Sequence, residues 1–266
     1  MQSFCIFSEI YEGGDGGNYK KGWGILVVPS TRAAVSRFVH LSAPFPQAGI
    51  NTVPQATAVF TGIGAKSLFI PGRNRNAYNK RSKCTVNPAY NKTSSVHDNN
   101  ETFLNTTVQI RNWQNANGGC PPTSCAHIQF MGKGKSCPSD EVFISAGIND
   151  SSGWYGKNPN YSGRRIRDNL RMKYPKSNFS LPSDSSCDLI GSKNIVGRLL
   201  NGVDVSKVCT EAASPANTKG EFVQLETSPR MRKKEYYEGW VEVFNQSFPP
   251  VNAAGMDIDD TDVWSE

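Results

Sequence analysis

Residues 37–70, RFVHLSAPFPQAGINTVPQATAVFTGIGAKSLFI, contain two short apolar segments on either side of a helical pattern. The segments Arg37–Leu41 and Ser67–Ile70 are short and dominated by β-branched and large apolar residues, which is typical of buried strands. Between them, Thr52 marks the start of a helix and Pro54 lies in its first turn, where the missing N–H of proline costs nothing. The stretch therefore predicts a strand–helix–strand unit.

The same alternation continues along the rest of the chain. Further strands are predicted at residues 23–28, 127–130, 142–145 and 221–225, and further helices begin near residues 98, 162 and 228. With 266 residues, 37% of them hydrophobic, the chain can bury one sizeable core. We therefore expect one α/β domain over residues 1–253, with a mixed β-sheet flanked by helices, disulfide-stapled loops and an acidic tail at residues 254–266.

Charge and hydropathy argue against several classes of partner. The net charge is +6, and the basic residues are not interleaved with aromatic ones, so nucleic acid is not expected. No stretch approaches the ~18–20 apolar residues of a membrane span. The amino terminus lacks the basic start and apolar run of a signal peptide, so an exported chain would be a mature fragment or the product of an incomplete gene model. The run Gly13–Gly17 lacks the Lys-Ser/Thr of a phosphate-binding loop and predicts a surface turn.

Seven cysteines indicate a disulfide framework and a secreted, extracellular protein. None forms a Cys-X-X-Cys pair, and with three histidines the chain lacks the usual spacing of a structural zinc site. Cys120 and Cys125 close a short proline-rich loop, so we expect them to pair. For the remaining four we expect Cys187–Cys209 and Cys84–Cys137, with Cys5 left over, although six cysteines allow about 15 arrangements. The alternative is a cytosolic protein with buried thiols.

Asn-X-Ser/Thr sequons also favour export. The number of sequons modestly exceeds what chance gives in a chain this rich in Asn, Ser and Thr. It predicts a glycoprotein in which some of the sites are empty. The sequons are at Asn91, Asn100, Asn105, Asn149, Asn160, Asn178 and Asn245.

Candidate chemistry is sparse. His97, Asp98 and Glu101 form a compact acid–base group, but a capping box at the start of a helix accounts for both carboxylates without catalysis. His40 and His127 lie in strand patterns and are expected to be satisfied strand histidines rather than ligands. The densest basic cluster is a solvated helix surface, or a site for an anionic glycan or for the acidic tail of a neighbouring copy. Its arginines are Arg164, Arg165, Arg167 and Arg171.

Several motifs occur in an order that resembles a known family. They lie between Gly22 and Val203 and read GWG, GAKSLFIPGRNR, VHDNNETF, CAHIQFMGKG, SLPSDSSC and GRLLNGV. In this order they resemble a family of uncharacterised secreted proteins from fungi and bacteria. By analogy of fold, that family is similar to zinc peptidases of the poly-γ-glutamate hydrolase type.

The resemblance also implies which ligands this chain has lost. The segment matching PFPQAGINT has Pro-His-Pro followed by an aspartate in the family, and the segment matching QFMG has a histidine before the glycine. Here Phe45, Gly49 and Met131 stand at those places, and none can replace an imidazole or a carboxylate as a zinc ligand. The family residues that are retained are Gly72, Arg75, His97 and Glu101.

Two functions are therefore expected. The first is a secreted glycoprotein without metal or cofactor, which binds or assembles in the extracellular space on a degenerate hydrolase-like scaffold. In that case the acidic tail with Trp264 is a candidate for contact with a second copy of the chain. The second is an active extracellular hydrolase of amide or glycan substrates, with His97, Glu101 and Arg75 in one pocket.

Overall fold

The computed structural model describes residues 3–10, 21–86 and 89–250. The glycine-rich run Gly13–Gly17 and the acidic tail at residues 254–266, with Trp264, lie outside these residues. No helix in the described ranges is long and apolar enough to cross a membrane.

A mixed eight-stranded sheet forms the centre of the protein, in the order β1-β2-β4-β3-β7-β10-β8-β9. The inner strands β3, β4, β7 and β10 are parallel to one another, whereas β1, β2 and β8 are antiparallel to their inner neighbours. The separate pair β5–β6 forms a small hairpin. The strands are β1 Phe4–Ser8, β2 Ile25–Pro29, β3 Arg37–Ser42, β4 Ala65–Ile70, β5 Arg81–Val86, β6 Ala89–Asn91, β7 Cys125–Gly132, β8 Val142–Ser145, β9 Phe179–Ser180 and β10 Phe222–Thr227.

Helices cover both faces of this sheet. The helices are α1 Thr52–Ile63, α2 Thr102–Ala116, α3 Trp154–Lys157, α4 Ser162–Lys173, α5 Ile195–Leu200 and α6 Tyr237–Ser247. On one face, α1, α4 and α6 bury a large core around Phe130, Trp240 and Phe244. On the other, α2 and α5 cover a smaller core that contains Phe69 and Met131. This arrangement of a mixed sheet with helices packed on both faces confirms the expected α/β class.

Helix α2 begins differently from the predicted capping box. Its first residue is Thr102, and the Glu101 side chain makes no capping hydrogen bond. Asp98 Oδ1 instead accepts from the backbone N–H of Asn100 at 3.0 Å, which stabilises the turn before the helix. The capping-box interpretation is therefore wrong, and it does not explain Glu101.

The structure pairs the same six cysteines that were predicted to pair, but in a different arrangement. The Cys120–Cys125 bridge is confirmed, whereas the expected pairs Cys84–Cys137 and Cys187–Cys209 are wrong. The tertiary fold brings the segments around Cys137 and Cys187 together, and the Ser185 hydroxyl donates to Asp140 at 3.0 Å beside this bridge. Cys5 is free and exposed. The bridges are Cys84–Cys209, Cys120–Cys125 and Cys137–Cys187.

Six of the seven sequon asparagines are exposed, and Asn91 is half-buried. The Asn91 amide also donates to Asn76 Oδ1 at 3.2 Å and accepts from Arg81 at 3.5 Å. Asn105 lies on the solvent face of α2.

Candidate functional site at the carboxyl edge of the sheet

The carboxyl ends of the parallel strands define the candidate site. Ligands of open α/β sheets bind at this edge, because the loops that follow parallel strands meet there. Here β3 leads into Phe45, β4 leads into Arg75, β7 ends at Met131–Gly132, and β10 ends at Glu226–Thr227. Side chains far apart in the sequence are thereby brought to one edge.

His97 lies in a stack of aromatic rings beside this edge. Its ring is 3.5 Å from the Tyr90 ring, centroid to centroid, and nearly parallel to it, and the Phe45 ring lies 6.1 Å away at 15°. Its Nδ1 is 2.9 Å from the Ser94 hydroxyl. Burial, together with the charges of Arg75 and Arg198, lowers the pKa of His97 to about 3. The imidazole is therefore neutral at physiological pH and packed as an aromatic ring.

Arg75 joins the same stack. Its guanidinium lies 4.5 Å from the centroid of the Phe45 ring and 5.9 Å from that of Tyr90, which are cation–π distances. Within the described residues the guanidinium has no ion pair and no hydrogen bond. Since Arg75 is half-buried, its donors are available to an anionic group that reaches this edge.

Glu101 has a separate environment. It is 3% exposed, and its carboxylate lies 3.3 Å from the guanidinium of Arg73. Burial raises the pKa of Glu101, Arg73 lowers it, and the nearby Asp98 raises it further. The structure thus places His97 and Arg75 in one aromatic cluster, whereas Glu101 has a salt bridge to a different arginine.

Glu226 was not predicted from the sequence and is the carboxyl group best placed for chemistry at this edge. It is half-buried, and the Gln224 amide donates to its Oε1 at 3.0 Å. Burial raises the pKa of Glu226 to about 7, against the opposing effects of Gln224 and the positive charges of Arg75, Arg232 and Lys133. The signal was present in residues 222–227, FVQLET, because two polar residues at i and i+2 interrupt a buried strand on one face.

A buried polar network supports Glu226. The Asn194 side-chain amide donates to Gln224 Oε1 at 3.1 Å and to Gln129 Oε1 at 2.7 Å, and its own oxygen caps α5. Each amide thus has partners, which fixes the orientation of Gln224 and hence that of its hydrogen bond to Glu226.

The three positions at which the resemblance implies lost ligands lie together at this edge. The Gly49 N–H donates to the Phe45 carbonyl at 2.7 Å. A Cβ on Gly132, the residue after Met131, would lie 3.0 Å from the Gly49 Cα. Met131 is also the cross-strand neighbour of Glu226. The edge therefore presents a phenyl ring, a backbone and a thioether where the resemblance implies metal ligands.

The donors present do not fit a zinc ion. A catalytic zinc needs three protein ligands. In the described part of the chain, one trio of His, Cys, Asp or Glu has its ligand atoms within 4.8 Å of one another: Cys137, Asp140 and Cys187. The two cysteines of that trio are joined by a disulfide. A Cβ at Gly49 would also lie 2.9 Å from Thr52 Cγ2, so a side chain at this position would require Thr52 to shift.

His40 and His127 lie in strands, as expected. His40 Nδ1 is 2.8 Å from the Ser67 hydroxyl, and its Nε2 is 3.2 Å from Gln114 Oε1. The His127 ring stacks on His40 at 4.6 Å. Its buried Nε2 has no partner among the described residues, so His127 is less fully satisfied than predicted. Both rings line a cavity of about 20 Å³, which is large enough for one water.

The basic cluster on α4 is bonded internally. Arg165 donates to the Ser247 carbonyl at 2.7 Å and to the Pro122 carbonyl at 3.0 Å. Arg167 and Arg171 both bind Asp184, and Arg164 donates to the Tyr155 carbonyl at 3.1 Å. These bonds account for the cluster without a ligand, and its binding of an anionic glycan stays a prediction.

Comparison with known proteins gives a distant similarity of fold. No family model and no curated protein sequence matches the chain. Among solved structures, it is similar to bacteriophage poly-γ-glutamate hydrolase, with a TM-score of 0.42, 12% sequence identity and coverage of 80% of this chain and 85% of that one. This similarity concerns the course of the chain and does not extend to activity.

Proposed function

We propose that this chain is an exported glycoprotein that binds an extracellular ligand at the carboxyl edge of its sheet without metal-dependent hydrolysis. One observation carries the proposal: Arg75, without an ionic partner in the described residues, lies on Phe45 in the same stack as Tyr90 and a neutral His97. Aromatic faces beside an accessible guanidinium favour binding of a ligand that has both flat apolar surfaces and negative charge.

An anionic glycan has this combination of properties. Sugar rings present C–H faces that pack on aromatic rings, and a uronic acid carboxylate accepts a bidentate hydrogen bond from arginine. Export to the compartment that contains such ligands is supported by three disulfides and by six exposed sequons.

Binding of uronic acid oligosaccharides tests the proposal by calorimetry, with uncharged oligosaccharides of equal length as the control ligand. We expect Arg75→Ala to weaken binding about tenfold or more, because it removes the charged donor. The matched variant Arg171→Ala removes an arginine from the α4 cluster, which is the alternative site for an anionic glycan. It is expected to leave the affinity unchanged when the ligand binds at Arg75. Equal binding by wild type and Arg75→Ala, or no preference for the charged ligand, would contradict the proposal.

Self-association through the acidic tail belongs to the same proposal as a mode of assembly. A negatively charged segment is attracted to a body with a net positive charge. Truncation before Met256 tests it: the truncated chain should assemble less than the full chain when both are examined by electron microscopy. Unchanged assembly refutes the role of the tail.

A metal-independent hydrolase is the second candidate, and Glu226 favours it. A carboxyl group with a pKa near 7 can both donate and accept a proton at neutral pH. The active group would then be Glu226 rather than the predicted set of His97, Glu101 and Arg75. Turnover of amide or glycan substrates that is abolished by Glu226→Gln would establish this function in place of the first.

A further inference from the structure

Strand β1 is an edge strand of the sheet. It pairs with β2 on one side without a register shift, and no other strand of the described residues pairs with its outer side. Natural proteins protect such edges with charge, proline or a bulge. The residues of β1, FCIFS, include no charged residue and no proline, and four of the five are exposed. Ile6 is 65% exposed and Phe7 56%.

The hydrogen bonds to β2 fix which backbone groups point outward. The Ser30 N–H donates to the Ser3 carbonyl at 3.0 Å, so the backbone groups of Ser3 point toward β2. By the two-residue period of a strand, Cys5 points its backbone groups the same way, and Phe4 and Ile6 point theirs outward. In agreement, the partner of Phe4 in β2 is a proline, which has no N–H to donate.

A second copy of this strand fits the outer edge. With a two-fold axis through Cys5, antiparallel pairing makes Phe4 of each copy the hydrogen-bonded partner of Ile6 of the other. Cys5 then faces its own counterpart in a non-hydrogen-bonded pair, in which the Cα atoms are about 4.5 Å apart. This separation lies within the range for a disulfide, about 4.4–6.8 Å. The exposed side chain of Ile6 would pack beside Phe4 of the second copy.

We propose that the outer edge of β1 is a homodimer interface, in which two strands pair antiparallel about Cys5 and the two Cys5 thiols form a disulfide. The other six cysteines are paired within the chain, and Cys5 is exposed. Two thiols and one molecule of glutathione disulfide give the protein disulfide and two molecules of glutathione, so the two electrons and two protons pass to the oxidant.

The distribution of sequons agrees with this assignment. The first sequon is Asn91, so β1, β2 and β4, the three strands at this edge of the sheet, carry no N-glycan that would block a partner. The occupant is a second copy because a strand paired with itself about a two-fold axis is self-complementary. The proposal is independent of the ligand site, since Arg75 and Glu226 take no part in it.

The experiment uses the full chain produced in an oxidising compartment and purified without reductant. Light scattering after size exclusion should give a protein mass of twice 29.1 kDa, and mass spectrometry should find a peptide joined to itself through Cys5. Reductant and Cys5→Ser should each yield monomer, because one pair of strands buries less area than a stable dimer needs. Truncation before Met256 should leave the dimer intact.

A second variant separates strand pairing from simple thiol reactivity. In the dimer, each copy of Ile6→Lys places a charge against Phe4 of the other copy. The substitution should therefore lower the equilibrium fraction of disulfide-linked dimer in a glutathione buffer about tenfold. Val205→Lys, at a residue that is 46% exposed elsewhere on the surface, is the matched control and should have no effect. The proposal is overturned by a wild-type monomer with a freely alkylated Cys5, or by equal dimer formation in Ile6→Lys.

Discussion

Removal of the charge of Glu226 is predicted to stabilise the protein at alkaline pH. Burial raises the pKa of this carboxyl from 4.5 to about 7. Because one pKa unit corresponds to about 1.4 kcal/mol, ionisation within the fold costs about 3 kcal/mol, and partial exposure reduces this to about 2 kcal/mol. The folded state holds the proton more tightly than the unfolded chain does. The stability that Glu226 contributes is therefore complete below pH 4.5 and is lost as the pH rises through 7.

The variant Glu226→Gln isolates this effect, because glutamine keeps the shape and the oxygen that accepts from Gln224. We expect it to exceed wild type in free energy of unfolding by about 2 kcal/mol at about pH 9, and to equal wild type near pH 4.5. Urea unfolding with the disulfides kept oxidised measures both values.

The control for Glu226→Gln is Glu211→Gln, which removes an exposed carboxylate 3.1 Å from Lys207. It should change the free energy of unfolding by less than about 1 kcal/mol at either pH. No gain in stability for Glu226→Gln at alkaline pH, or an equal gain at both pH values, would refute the assigned cost of ionising Glu226. If Glu226→Gln stabilises the protein, the native carboxyl group lowers its stability. Functional residues often have this effect.

Three further predictions concern the framework of the protein. Replacing Cys137 and Cys187 together by serine removes a bridge with a sequence separation of 50 and should cost about 4 kcal/mol, measured as a lower midpoint of urea unfolding. In a glycosylating host, Asn105→Gln should reduce the mass of the protein by one glycan, as measured by mass spectrometry. Asn91→Gln should not reduce it, because the half-buried Asn91 amide is already hydrogen-bonded. Gly24→Ala should destabilise by about 2 kcal/mol or more in thermal unfolding, since φ is +93° and the new Cβ would strike the backbone at the end of β4.

Local patterns predicted much of the sheet. The segments Arg37–Leu41, Ser67–Ile70 and 142–145 lie in strands within one or two residues of their expected bounds. They were predictable because a strand buried on both faces is a short apolar run whatever its neighbours are. The paired cysteines were also identified, but the bridges Cys84–Cys209 and Cys137–Cys187 were not, because they join residues 125 and 50 positions apart, which only the tertiary fold brings together.

The candidate site was less predictable for the same reason. His97 and Arg75 were singled out from the sequence, and the structure brings them to one aromatic stack. Glu226 was missed because its environment depends on the pairing of β10 with β7, which begins about 100 residues earlier in the chain. Glu101 was grouped with His97 by sequence proximity, whereas its side chain forms a salt bridge with Arg73.

The zinc content of the purified protein tests the central claim most directly. The protein should be made in an oxidising compartment, incubated with zinc, dialysed and analysed by mass spectrometry for metal. With Phe45, Gly49 and Met131 at the edge of the sheet, we expect less than about 0.1 zinc ion per chain. A content of about one zinc ion per chain would contradict the claim that this site acts without a metal.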